Sequence, residues 1–69
     1  MSAKEFVLRQ VRKYENESRF DEWAGSSALM ISICKPIYVF GSTWSAIREL
    51  LDEEQICYDG KKLIRLKAI

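Results

Sequence analysis

The side chains able to do chemistry in this chain are few, and their spacing keeps them apart. There is no histidine. That removes the commonest general base, the commonest zinc ligand and the side chain that titrates nearest neutral pH. Neither a Ser–His nor a Cys–His nucleophile can be assembled. Cys34 and Cys57 are 23 positions apart, unlike a C-x-x-C redox pair, and without histidine they cannot complete a four-ligand zinc site in one chain. The spacing predicts two reduced thiols packed as small hydrophobes; a single disulfide is the alternative and needs an oxidising compartment. Asp52, Glu53 and Glu54 are consecutive, so they diverge rather than converge on one point. Glu15, Glu17, Asp21 and Glu22 sit in a polar stretch, and Gly25, Gly41 and Gly60 stand singly, so no phosphate-cradling loop is present. The expectation is a protein that is not an enzyme and carries no metal or cofactor.

What remains is binding, and composition limits its kind. The 69 residues fit one small domain, residues 1–69, with 48% hydrophobic and 30% charged residues, the mix of a folded globule. Eleven Lys and Arg against ten Asp and Glu leave a net charge of +1. This excludes a uniformly basic coat and an acidic tail. The eight aromatics are Phe6, Tyr14, Phe20, Trp23, Tyr38, Phe40, Trp44 and Tyr58. They could stack on single-stranded bases, but a core this small is expected to absorb most of them. Tyr38, Phe40 and Tyr58 are the ones expected to stay partly exposed. No apolar run approaches the roughly 20 residues of a membrane span, and the charged start lacks the marks of an export signal. A cytoplasmic protein without a membrane partner is therefore expected.

The elements that must position these side chains follow from periodicity. Ser2 and Glu5 fit a capping box, and Val7, Val11 and Tyr14, widened by Phe6 and Leu8, predict a helix over residues 3–17. Arg9, Arg12 and Lys13 fall on its opposite arc. Residues 18–27 read as a connector with Phe20 and Trp23 as core plugs and a loop at 25–27; a short helix around 21–24 is open. In residues 28–40, branched and aromatic side chains favour two short strands broken at Lys35-Pro36. A buried helix ending before Pro36 is the rival reading. Gly41 and Ser42 then open a helix with Ser42 or Thr43 as N-cap. Trp44, Ile47 and Leu51 share its inner face, and Ser45, Arg48, Glu49 and Asp52 point away. The acids at its carboxyl end oppose the helix dipole and call for basic neighbours, with Lys61 and Lys62 the candidates. Finally, Asp59-Gly60 predicts a tight hairpin in which Tyr58 faces Lys61, Cys57 faces Lys62 and Ile56 faces Leu63.

Residues 41–67, GSTWSAIRELLDEEQICYDGKKLIRLK, resemble the recognition helix and wing of winged helix-turn-helix regulators. Ser42-Thr43-Trp44-Ser45, Ile47, Leu50-Leu51, Asp52-Glu53-Glu54, Ile56 and Asp59-Gly60-Lys61 stand in the corresponding places. The helix over residues 3–17 fits the family's opening element. One departure is that the family has a helix and sharp turn where KPIYVFGS here reads as strand. The resemblance implies an α+β, winged-helix-like small domain. The alternative fold is helix-strand-strand-helix-strand-strand with a small antiparallel sheet.

The same resemblance implies a sequence-specific transcriptional regulator that binds duplex DNA. Ser42, Thr43, Ser45 and Arg48 would reach base edges or phosphates, with Arg48 suited to guanine. Lys61, Lys62 and Arg65 would lie along phosphates, extended by Arg9, Arg12 and Lys13. With so little net charge, such a protein must segregate its acids or work as a homodimer. Its small size suggests a phage, plasmid or other mobile element. The reading from another class is a small α+β protein-binding module that inhibits or adapts a single host protein through Tyr38, Phe40 and Tyr58. A third is a packing subunit of a larger assembly.

Overall fold

Three helices followed by a two-stranded hairpin make up the chain in the computed structural model, which describes residues 1–16, 26–60 and 62–65. Helix α1 spans Ala3–Asn16. Ser2 starts it as the sequence implies: the Glu5 amide donates to Ser2 Oγ at 3.1 Å and the Phe6 amide to the Ser2 carbonyl at 3.0 Å. Val7 and Val11, one turn apart, are fully buried, while Phe6, Leu8 and Tyr14 flank them half-buried. Arg9, Arg12 and Lys13 are exposed.

The expectation of two strands in residues 28–40 is overturned. Helix α2 occupies Ser27–Cys34, and a turn at residues 35–39 leads into helix α3. The helical rival was the right reading, and local chemistry shows why. Ser26 is an N-cap in extended conformation whose Oγ accepts from the Leu29 amide at 3.1 Å. Met30 and Cys34, at i and i+4, are both fully buried, so tertiary burial overrides the strand preference of Ile31 and Ile33. Pro36 lies just past the helix end, where it breaks no helical hydrogen bond. Lys35 nevertheless stays right-handed helical (φ −53°, ψ −39°), against the usual effect of a following proline. The Ile37 and Tyr38 amides both donate to the Cys34 carbonyl, at 2.9 and 2.7 Å, and so close the turn.

Helix α3 spans Phe40–Asp52 and starts earlier than the Gly41-Ser42 signal implies. Its N-cap is Val39, with no side-chain cap, rather than Ser42 or Thr43. The inner stripe is Thr43, Ala46, Ile47 and Leu50, all buried, the i, i+3, i+4, i+7 pattern of a core-facing helix. It is rotated from the Trp44–Ile47–Leu51 face expected from sequence: Trp44 is exposed and Leu51 half-buried. Strands β1 (Ile56–Asp59) and β2 (Lys62–Arg65) pair antiparallel.

The hairpin register differs by two residues from expectation. Asp59 pairs with Lys62, Tyr58 with Leu63, Cys57 with Ile64 and Ile56 with Arg65. Residues 60 and 61 thus lie between the paired positions, and Gly60 takes the positive φ of 66°. A slip of two keeps every side chain on its face, so Ile56 and Leu63 both still point into the core. It also sets Asp59 across from Lys62, a favourable cross-strand pair.

The core is aliphatic: Val7, Val11, Met30, Cys34, Ala46, Ile47, Leu50, Ile56 and Leu63. At about 2 kcal/mol per buried large side chain, Met30, Ile47, Leu50, Ile56 and Leu63 dominate the apolar stabilisation. The expectation that aromatics build the core is met in part among the described residues: Phe6, Tyr14 and Tyr38 are half-buried and pack against it, whereas Phe40, Trp44 and Tyr58 are exposed. The core plugs expected at Phe20 and Trp23, and the connector and short helix expected around them, lie outside the described residues. The fold is therefore α+β, with the helices, turn and hairpin in the winged-helix-like order. The helix-strand-strand-helix-strand-strand alternative fails at residues 27–34, which are helix.

Candidate functional site

The outward ridge of α3 is set by the same period that buries its inner stripe. Gly41, Ser45, Arg48 and Asp52 recur at i, i+4, i+7 and i+11 and are all exposed. Ser42 and Glu49 flank the ridge on one side and Phe40 and Trp44 on the other, all of them exposed. Along the helix axis charge is segregated: residues 40–48 hold Arg48 and no acid, whereas Glu49, Asp52, Glu53 and Glu54 gather at the carboxyl end. Glu49 follows Arg48 directly but projects about 100° further round the helix. The amino-terminal end of α3 is exposed through Phe40, Gly41 and Ser42 and has no side-chain cap. Its first amide groups are therefore free to meet an acceptor from outside.

Of the residues expected to contact DNA, Ser42, Ser45 and Arg48 are on the surface of this helix. Thr43 is not. It is fully buried, and its Oγ1 donates to the Val39 carbonyl at 3.4 Å. The reason is the earlier helix start, which makes position 43 the first residue of the inner stripe. Thr43 also faces Cys34: burial pushes the Cys34 thiol up, and the Thr43 hydroxyl pulls partly the other way. Cys34 is thus a neutral buried thiol, and Cys57, half-buried on β1, is likewise unpaired.

In the hairpin, Lys62 is half-buried opposite Asp59. Lys61 lies outside the described residues, and for Arg65 only the backbone, opposite Ile56, is described. The acids at the end of α3 find a partner that the sequence did not suggest. Lys4 of α1 forms an ion pair and hydrogen bond with Glu53, whereas Lys62, one of the two lysines expected there, stands across the hairpin from Asp59 and the other, Lys61, is outside the described residues. That hydrogen bond, with added pull from Glu49, raises the Lys4 pKa above the usual lysine value.

The aromatics proposed for a protein interface separate into two groups. The Tyr38 ring packs against Phe6, with centroids 5.9 Å apart, and its hydroxyl donates to the Met1 carbonyl. Phe40 and Tyr58 project into solvent. Sequence reasoning missed Ile37 and Val39, which are exposed beside Phe40 and Trp44. Residues 37–40 are all apolar in sequence, so no pattern there marked these two, and the structure turns residues 37–39 out, in, out with Tyr38 inward. A shallow depression of about 450 Å³ lies between the start of α2 and the hairpin, lined by Ser26, Ser27, Ala28, Tyr58 and Gly60. Among the described residues no group of three or more Cys, Asp or Glu is disposed to hold a metal ion. No helix among them is long and apolar enough to cross a membrane. Models of known families, curated protein sequences and solved structures all give no match to this chain.

Proposed function

We propose that this protein is a small, cytoplasmic, sequence-specific DNA-binding regulator of winged-helix type. One observation carries the reading: a capped helix, α2, and a tight turn directly precede α3, so that α2, turn and α3 form a helix-turn-helix followed by a hairpin. In this reading α3 enters the major groove with its outward ridge from Ser42 to Arg48. Arg48 offers its fork of donors to guanine O6 and N7, and Ser45, one turn earlier on the same ridge, reaches the neighbouring base edge. Ser42 and the uncapped amides of α3 take phosphate oxygens. The hairpin runs along the backbone with Lys62, joined on the sequence pattern by Lys61 and Arg65. Glu53 and Glu54 lie past the end of α3, with Glu53 paired to Lys4, and Asp52, one turn beyond Arg48 on the same ridge, marks where the contact with DNA ends.

The test is duplex binding across a salt series. Affinity should fall steeply, with a log–log slope of about −3 for three or four phosphate contacts. Arg48→Ala should cost about 1–3 kcal/mol on the preferred site and little on random duplex. Binding indifferent to salt, or none, contradicts the reading.

A second reading, a protein-binding module that inhibits or adapts one host protein, is favoured by a different observation. Ile37, Val39, Phe40 and Trp44 make an exposed apolar face beside the polar ridge. Binding through it would be nearly independent of salt and would survive Arg48→Ala.

A further inference from the structure

Helix α3 is tied to the first six residues of the chain at both of its ends. Ahead of it, in the turn, the Tyr38 ring packs on Phe6 with the ring planes tilted by 58°, and the Tyr38 hydroxyl donates to the Met1 carbonyl. Behind it, Lys4 pairs with Glu53, the residue at the helix C-cap. Glu49, one turn earlier on α3, adds to the pull on Lys4. Both hydrogen bonds lie at the surface. Between the two ties, Ala46, Ile47 and Leu50 share the core with Val7 and Val11 of α1. An aliphatic seam resists separation but defines angle loosely, and crossing angles scatter by about 15–20° within one packing class. Under the Lys4–Glu53 pair the helices are not close-packed: a depression of about 320 Å³ lies there, with Leu8, Leu50 and Gln55 in its lining.

We propose that Lys4 and Tyr38 are positioning residues for α3: they hold the helix from both ends and set the angle at which its outward ridge is presented. Leverage makes weak ties sufficient. Each tie lies about 10 Å from Ala46, at the middle of the helix. A shift of about 2 Å at either end is then a tilt of about 10°. Outward side-chain tips stand about 10 Å from the buried stripe, so the same tilt carries them sideways by about 2 Å. Hydrogen bonds keep their geometry over a range of only about 0.5 Å. An exposed ion pair adds little to stability, and the contribution of this one is to orientation.

Only the consequence for binding rests on the DNA reading. There, Arg48 must make both of its bonds to one guanine at once, which requires a correctly tilted helix. Phosphate contacts are less exacting, because a cation attracts a phosphate over several ångströms. Loss of the ties therefore weakens binding to the preferred site and leaves random duplex nearly untouched.

Residual dipolar couplings of the backbone amides, measured without DNA, test the proposal. In Lys4→Met with Tyr38→Phe, α3 should keep its helical chemical shifts. Its angle to α1 should change by about 10°, or its couplings should shrink through averaging. Lys4→Arg, which still pairs with Glu53, should keep the wild-type angle. The double variant retains the apolar stem of residue 4 and the ring on Phe6, so it should keep its far-ultraviolet spectrum. An unchanged angle in it overturns the proposal. Should it fail to fold, Lys4→Met alone, which removes one exposed pair, decides by the same criterion. With duplex, the double variant should lose about three- to tenfold on the preferred site and less than about twofold on random sequence. Equal loss on both would show a merely structural role and overturn the proposal. A wild type that binds no duplex overturns the DNA reading alone, since the angles are read without it.

Discussion

At the scale of single residues, Glu54 carries the clearest strain. It is the described non-glycine residue with positive φ, at 60°. It closes α3 in a Schellman motif: the Glu54 amide donates to the Leu51 carbonyl at 3.1 Å and the Gln55 amide to the Leu50 carbonyl at 2.9 Å. Glycine adopts that conformation without a Cβ penalty. Glu54→Gly should therefore stabilise the fold by about 1 kcal/mol, read as a rise of about 4–8 °C in melting temperature. Lys4 makes a second residue-scale case. Its pKa is raised in the folded state by Glu53, so the pair contributes stability below the ordinary lysine value of 10.5 and loses it as pH climbs through the raised one. The melting temperature of wild type should approach that of Lys4→Met as pH rises above about 10.5. Parallel curves there would show that the pair contributes nothing. Some residue roles were legible. Ser2 was, because a cap is encoded within four positions. The burial of Thr43 was not, because it depends on where α3 starts, and Ser42 and Thr43 offer equally good caps that the fold leaves unused.

Elements show how far short-range signals extend. The branched side chains of α2 argue for strand one residue at a time, yet the segment is a helix because Ser26 caps it and Met30 and Cys34 meet the core. That choice is made by α1 and α3, which no local window contains. Ser26→Ala should cost about 1 kcal/mol, seen as a lower denaturant midpoint with an unchanged slope. An unchanged midpoint would mean that packing alone holds α2. The hairpin was legible in kind but not in register: Asp59-Gly60 marks the turn, and the tertiary demand that Ile56 and Leu63 point inward is met by either pairing two residues apart. Gly60 has φ of 66° and open space where a Cβ would go. Gly60→Ala should therefore cost about 1 kcal/mol through backbone conformation alone.

On the scale of the whole molecule, the fully buried core is aliphatic, and of the described aromatics Phe40, Trp44 and Tyr58 lie outward. Aromatic content read as core mass because sequence reports hydrophobicity without direction. In the fold, the small stripe Thr43–Ala46–Ile47–Leu50 sits against α1 and α2, and Phe40 and Trp44 are left outside. The α+β class and the helix-then-hairpin order were readable from residues 41–67. Helix α2 itself was hidden behind its β-preferring residues. Charge is also sorted along α3: Arg48 is its one cation, and Glu49 and Asp52 follow it toward the carboxyl end. The central claim is that the outward ridge of α3 from Ser42 to Arg48 meets duplex DNA. Amide chemical-shift mapping with a selected duplex tests it most directly. The account expects the largest changes at Ser42, Ser45, Arg48 and Lys62, fading as salt rises, with little movement at Asp52 to Glu54. Shifts confined to Ile37, Val39 and Phe40, or none at any salt, would contradict it.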